Sequence, residues 1–408
     1  MSSRTVRRRH VFYIPGYDPI HPRRYRELYR KEGAAQAAIS GYEIALSPGD
    51  PQGRYGWHVT ATMDGTRTET GIETLIWSDI VRGSMDHGIA SSYAQMLRTA
   101  WIYISTGTLF RLMRLRKGPV VAALYPVVFM LLQLVFAVLI ASVVTWGGKL
   151  ALLPFLGTPG HGVALAFGVA LGWSLLNWFK KHDGRFFTYY LMHNYAYSAQ
   201  FHGANPPELE ARMAEFTAEI AGALTEDVDE VLVVGHSSGA HLGVSILADL
   251  IRQGGVPADG PALSFLSLGQ VVPMVSFLPR AHRLRADLQF LSTCDDITWL
   301  DVTAPGDGCA FALCDPVAVS GVATKDKRWP IVISAAFTQT LSKERWQALR
   351  WRFFRLHFQY LCAFDRPGDY DYFRITAGPM TLGARFKGRA SSKSRIEAAV
   401  SSHRSVTP

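Results

Sequence analysis

The stretch VLVVGHSSGA at residues 231–240 decides how this chain is read. Val231 to Val234 are apolar without alternation, which suits a strand buried on both faces of a parallel sheet. The strand runs into Gly235, His236, Ser237, Ser238 and Gly239, after which Leu242, Ile246, Leu250 and Ile251 fall on one face of a helix. The pentapeptide alone recurs by chance. Strand before and helix after give it meaning, because a sharp strand-to-helix turn flanked by small residues exposes the serine hydroxyl. Ser237 is therefore a candidate nucleophile.

Working outward, strand and helix patterns alternate. Residues 207–224 carry Leu209, Met213, Phe216, Ile220 and Leu224 near helical spacing. Residues 262–268 and 297–302 read as strands, with Leu284, Leu288 and Leu291 marking a helix between them, and residues 331–335 as a further strand or part of a lid. Near the start, residues 10–14 form an apolar strand leading into Pro15, Gly16, Tyr17, Asp18 and Pro19. Residues 42–47, 57–63 and 74–77 have strand-like content between Gly, Pro and Asp turns. This alternation predicts an α/β fold with a mostly parallel sheet. A chain of 408 residues can use that length as one catalytic unit if it also carries a membrane insertion.

The apolar fraction of 48% is high for a soluble protein, and the excess is concentrated. Between Lys117 and Lys180 the only formal charge is Lys149. Residues 119–146 are an almost unbroken run of Val, Leu, Ala, Phe and Ile, longer than the roughly 20 residues a bilayer core requires. After Gly147, Gly148 and Lys149 comes a second apolar run, interrupted at Gly157 to Gly162, which leaves residues 162–179 as the cleaner span. Two transmembrane helices joined by a short hairpin are expected. Arg111, Arg114, Arg116, Lys117, Lys180, Lys181 and Arg185 flank the outer ends, against Lys149 in the hairpin. The positive-inside rule then places both termini and the catalytic domain in the cytoplasm. Residues 100–115 mix Trp101, Tyr103 and Phe110 with arginines, as an interfacial helix or a core helix would. Phe186, Phe187, Tyr189 and Tyr190 resemble an interfacial aromatic belt.

A net charge of +9 invites a nucleic-acid reading, but the basic-aromatic patches and zinc or helix-turn-helix signatures of such binders are missing. The lipid bilayer is the expected partner, because basic residues beside a membrane segment are drawn to anionic lipid. Cys294, Cys309, Cys314 and Cys362 show no metal spacing and make no disulfide framework, which fits a reducing compartment. The apolar run at residues 11–14 is too short for a signal-peptide core. From Lys387 onward, Ser, Lys, Arg and Ala without a period predict a solvated, disordered tail. The expected organisation is residues 1–99 as the N-terminal part of the catalytic domain, 100–118 as a basic interfacial segment and 119–179 as the transmembrane hairpin. Residues 180–386 are then the main catalytic part, and 387–408 the tail.

VLVVGHSSGA and the upstream FYIPGYDP loop at residues 12–19 resemble the α/β-hydrolase superfamily, over the soluble portions and not the hairpin. The resemblance implies an oxyanion hole made by the backbone N–H of Ser238 and by a second one at Gly16 or Tyr17. The loop departs from the family in lacking a His-Gly signature. A serine needs a base and the base a carboxylate, following Ser237 in chain order. Of the later histidines, His403 lies in the tail and His282 in a basic helix before any acid, which leaves His357. Family topology puts the acid on the loop after a late strand. That favours Asp307 over Asp301 within the strand, and over Asp295 and Asp296 before it. His236 is expected to point away from the reaction, and Asp79 and Tyr370 to Phe373 to serve packing or the pocket wall.

The expected function is a membrane-bound serine hydrolase that cleaves an ester or thioester of a lipid-like or small substrate. No metal or cofactor is implied, and no partner protein is indicated. Two other readings remain: a non-catalytic membrane scaffold or transport accessory with a hydrolase-like domain, and a peptide substrate admitted by a lid between Cys314 and Leu349.

Overall fold

The computed structural model describes residues 5–50, 53–85 and 88–408. The chain divides into two units, one of Met1–Gly83, Thr106–Pro119 and Phe201–Pro408, the other of Ser84–Ser105 and Val120–Gln200.

The first unit is built on one eight-stranded sheet of β1 (Arg8–Ile14), β2 (Glu43–Pro48), β3 (Gly56–Met63), β4 (Thr66–Thr74), β5 (Glu230–His236), β6 (Ala262–Leu268), β7 (Ile297–Thr303) and β8 (Ile331–Ser334). Its order is β2-β3-β4-β1-β5-β6-β7-β8. Every pairing from β4 to β8 is parallel, and β3 is antiparallel to both β2 and β4. The two central strands, β1 and β5, therefore come from either side of the second unit in the sequence. Every residue of β5 is buried, as its unbroken apolar run predicts. Its one acid, Glu230, meets Arg9 of β1 at 2.7 Å, with both side chains fully buried. Glu230 also accepts from the Ser264 hydroxyl and the Leu382 amide, and Arg9 donates to the Gly378 and Met380 carbonyls. A buried ion pair is tolerable only when its remaining polar atoms are satisfied in this way.

The sequence pattern misses most of β4 and puts a strand at residues 74–77, of which Thr74 ends β4 and 75–77 form the link after it. The reason is chemical. The buried face of β4 is Thr68, Thr70, Ile72 and Thr74, where threonine takes positions that usually hold apolar residues. The signal that locates it is the Asp64-Gly65 pair between β3 and β4, with φ of 50° and 74° as a two-residue hairpin turn requires.

Residues 387–408 are not the solvated tail expected from composition. The Ile396 amide donates to the Leu313 carbonyl at 2.7 Å, the Val400 amide to Val319 at 3.1 Å, and Ser401 is fully buried. Backbone hydrogen bonding, which side-chain composition does not report, holds this segment against the first unit.

Helix α1 (Arg23–Ser40) precedes the second unit, whose boundary falls inside α2 (Ser78–Met85) and whose first complete helix is α3 (Ile89–Ser105). Gly107, with φ of 69°, then starts α4 (Thr108–Leu115), so the expected single segment of residues 100–118 is broken and a unit boundary falls at Thr106. Next come α5 (Lys117–Leu156) and α6 (Thr158–Lys181), two helices long and apolar enough to cross a membrane. The chain does not turn at Gly147 to Lys149. It continues as one 40-residue helix and turns at Gly157, where φ is 59°. Gly148 instead faces Ala164 of α6, where an added Cβ would lie at 3.1 Å, so its missing side chain serves helix packing. At about 1.5 Å per residue α5 is roughly 60 Å long, twice a bilayer core. After α7 (Asp183–Phe186), helix α8 (Thr188–Ala199) packs Tyr189, Met192 and Ala196 with Met96 of α3 and Met130 of α5. The second unit is thus larger than the expected hairpin.

Candidate active site

Helices α9 (Pro207–Ala223) and α10 (Gly239–Arg252) complete the frame, and Ser237 sits where β5 meets α10. Its φ is 57°, a left-handed conformation that non-glycine residues rarely adopt. Its amide donates to the Leu268 carbonyl at the end of β6 at 2.9 Å. Small neighbours make the turn possible. A Cβ on Gly239 would overlap the Ile14 carbonyl, and one on Gly235 would lie 2.7 Å from the Gly239 oxygen.

The loop after β1 closes over this turn. A Cβ on Gly16 would lie 3.0 Å from Ser237 Cβ and 3.4 Å from its Oγ, so the loop backbone runs beside the hydroxyl. Trp77 Nε1 donates to the Pro15 carbonyl at 3.0 Å. Because the peptide is planar and trans, this points the Gly16 N–H away from Trp77. Residues 75–77, expected as strand, are the clamp on this loop. Across from it, Ser238 precedes α10, whose first amides have no intrahelical acceptor. Gly16 thus lies beside Ser237, with Tyr17 next to it in the chain, and Ser238 follows Ser237 directly.

Asp307 lies on the loop after β7, 2% exposed, and His357 ends the short helix Phe353–His357, 6% exposed. His357 Nδ1 donates to Asp307 Oδ2 at 2.7 Å, and the Tyr360 hydroxyl donates to the same oxygen at 3.0 Å. Asp307 Oδ1 accepts from the Cys309 amide at 2.9 Å. Burial alone would raise the Asp307 carboxyl, but the His357 charge and these hydrogen bonds hold it below the ordinary range. His357 Nε2 is buried and has no hydrogen-bond partner among the described residues. A Cβ on Gly269, whose φ is 54°, would lie 3.0 Å from His357 Cε1. Since Gly269 follows Leu268, which receives the Ser237 amide, nucleophile and imidazole lie against the same two-residue step.

The other acids are elsewhere. Asp301 is inside β7, where it accepts from the Ser267 hydroxyl at 2.6 Å, and Asp295 pairs with Arg328. Asp79 pairs with Arg212 at 2.7 Å, and Asp371 caps the helix Tyr372–Ala377. His236 does not point away. Its Nε2 donates to the His357 carbonyl at 3.0 Å, and the two rings lie 4.9 Å apart. Burial, helped by the neighbouring His357 charge, pushes His236 down to about 3, so its ring stays neutral. Neither this contact nor those of Tyr360 and Trp77 were legible, because each is formed by residues far apart in the chain.

Asp307, Cys309 and His357 offer ligand atoms within 4.8 Å of one another. Their chemistry fits a carboxylate–imidazole pair better than a metal. Asp307 and His357 already bond each other, and burial raises the Cys309 thiol well above its usual value, which opposes the thiolate a metal binds. The group as a whole can take a proton from a hydroxyl through Nε2, steady the resulting imidazolium on Asp307, and offer amides to a developing negative charge. Comparison of the chain with protein-family profiles, curated proteins and solved structures finds no match.

Proposed function

We propose that this chain is a membrane-bound serine hydrolase of the α/β-hydrolase type that cleaves an ester or thioester of a lipid-like substrate. The observation that carries the reading is a carboxylate-held imidazole, its Nε2 unpartnered, beside the same β-strand end as a serine in left-handed backbone conformation. Ser237 Oγ attacks the acyl carbon while His357 Nε2 takes its proton, and Asp307 stabilises the imidazolium. The amides of Ser238 and of Gly16 or Tyr17 receive the oxyanion. His357 then returns the proton to the departing alcohol or thiol, and water, activated by the same base, releases the acid.

A lipid-like substrate is supported by the two helices long and apolar enough to cross a membrane. With α5 and α6 as the spans, the basic residues at their outer ends favour a cytoplasmic active site and cytoplasmic termini.

The test is labelling of the detergent-purified protein by a fluorophosphonate, with hydrolysis of short and long acyl esters alongside. Ser237→Ala abolishes labelling, and both Ser237→Ala and His357→Ala lower ester turnover by about 10³-fold or more. Folded wild-type protein that takes no label would point to a non-catalytic membrane scaffold instead.

A further inference from the structure

One open cavity in the first unit, of about 440 Å³, is lined by residues 113–119 on one side and by Pro305, Asp307, Gly308, Ala310 and Ala312 on the other. Arg114, Arg116 and Lys117 stand on the first wall. Several arginines of this unit meet a carboxylate, Arg9, Arg212, Arg252, Arg283, Arg345 and Arg374 among them. Arg114, Arg116 and Lys117 have no ion pair among the described residues. Arg116 is half-buried and held in place, its Nε donating to the Ala312 carbonyl at 2.9 Å. Asp307, on the opposite wall, makes no ion pair with them among the described residues; its oxygens bond His357, Tyr360 and the Cys309 amide.

Lys117 is also on the wrong end of a helix, with Arg116 directly before it. Lys117 begins α5, whose first turn contains no acid. A helix N-terminus is its positive end and favours anions, so the Lys117 ammonium is repelled by the α5 dipole as well as by the neighbouring guanidinium of Arg116. An anion in the cavity removes that conflict, accepting from the guanidinium and ammonium groups as phosphates do. The remaining lining, Met113, Leu115, Pro119, Pro305, Ala310 and Ala312, is apolar or small. Immediately after Pro119 the chain enters the longest apolar run in the sequence. A ligand that is anionic at one end and apolar at the other fits this lining.

We infer that the cavity binds the phosphate headgroup of an anionic phospholipid, with Arg116 and Lys117 as its principal donors and Arg114 at the rim. The inference rests on the membrane reading of α5 but not on hydrolysis, so binding is measured on the Ser237→Ala full-length protein as well as on wild type. The protein, in neutral detergent, is titrated calorimetrically with dihexanoyl phosphatidylglycerol, dihexanoyl phosphatidylcholine and inorganic phosphate. The anionic lipid saturates at one per chain and binds at least about tenfold more tightly than either of the others. Arg116→Gln with Lys117→Gln weakens it by roughly tenfold or more, whereas Lys180→Gln with Lys181→Gln, basic residues outside the cavity, does not. If the first pair fails to fold, Arg114→Gln, at an exposed position, must still weaken binding. Equal affinity for the two lipids, or equal loss in the Lys180 and Lys181 variant, would overturn the site in favour of diffuse attraction. Inorganic phosphate bound as tightly as the lipid would overturn the lipid assignment. Binding that persists in a protein taking no fluorophosphonate would leave this inference standing while the hydrolase reading fell.

Discussion

Asp301 and Asp307 are both buried on or just after β7, yet burial acts on them with opposite results. Asp301 is pushed up to about 8 by desolvation, which the hydrogen bond from Ser267 only partly offsets and the nearby Asp315 reinforces. Asp307 is pulled down, because an imidazole, a phenol and an amide all point at it. That contrast separates two acids that the sequence alone left in competition. It also has a pH consequence. Unfolded Asp301 titrates near pH 4, so between roughly pH 4 and 8 the folded protein holds a proton that the unfolded chain has released. Its contribution to stability is full below that window, falls as pH rises through it, and levels off above pH 8. Asp301→Asn removes the titration and keeps an oxygen for Ser267. Between pH 5.5 and 8.5 the wild-type melting temperature should fall by roughly 3 °C or more beyond the fall in the variant. Parallel curves would contradict the assignment. The variant should keep its fluorophosphonate labelling.

Among elements, α5 and α6 show most clearly how far sequence patterns reach. Hydropathy finds both helices, because length and composition are local properties. It misplaces the turn between them, because Gly147 and Gly148 look like punctuation until a partner helix is present. Contact across the pair is made by small residues at four-residue spacing, Ala137, Ala141 and Thr145 on α5 against Gly168 and Gly172 on α6. A Cβ on Gly168 would lie 2.5 Å from the Ala141 carbonyl oxygen, and one on Gly172 3.0 Å from that of Ala137. Without a hydrophobic drive between helices in lipid, such backbone proximity is the main source of association. Gly168→Leu should therefore lower the melting temperature in detergent by about 5 °C or more. Gly162→Leu, on the same helix with open space beside it, should not. The missed strand β4 teaches the same lesson: its threonines keep the two-residue period but not the hydrophobicity that period is usually recognised by. In the candidate site, Ser237 stands out by its local strand and helix, His357 by elimination among the later histidines, and Asp307 by the topology that the resemblance implies. The aromatic and backbone contacts that hold them needed the fold.

For the whole molecule, one sheet is made from two separate stretches of chain, with α3, α5, α6 and α8 encoded between them. The orientation proposed for the spans makes a direct prediction. In intact cells a membrane-impermeant maleimide should label Thr158→Cys, at the turn after α5, and should reach Lys180→Cys only after permeabilisation. The reverse pattern would place the Ser237 side of the protein outside the cytoplasm. The split sheet also sets an order of events during synthesis. Strand β1, which carries the loop beside Ser237, leaves the ribosome early and finds β4 as its first neighbour, but its other neighbour is not made until Glu230. At about 5–20 residues per second the intervening chain takes on the order of ten seconds to emerge. In that interval the apolar helices are available to the insertion machinery, while Ser237, Asp307 and His357 do not yet exist. On the proposed function, Ser237 is thus translated only after the two apolar helices, so newly made protein would have its chance to reach lipid before it could cleave anything.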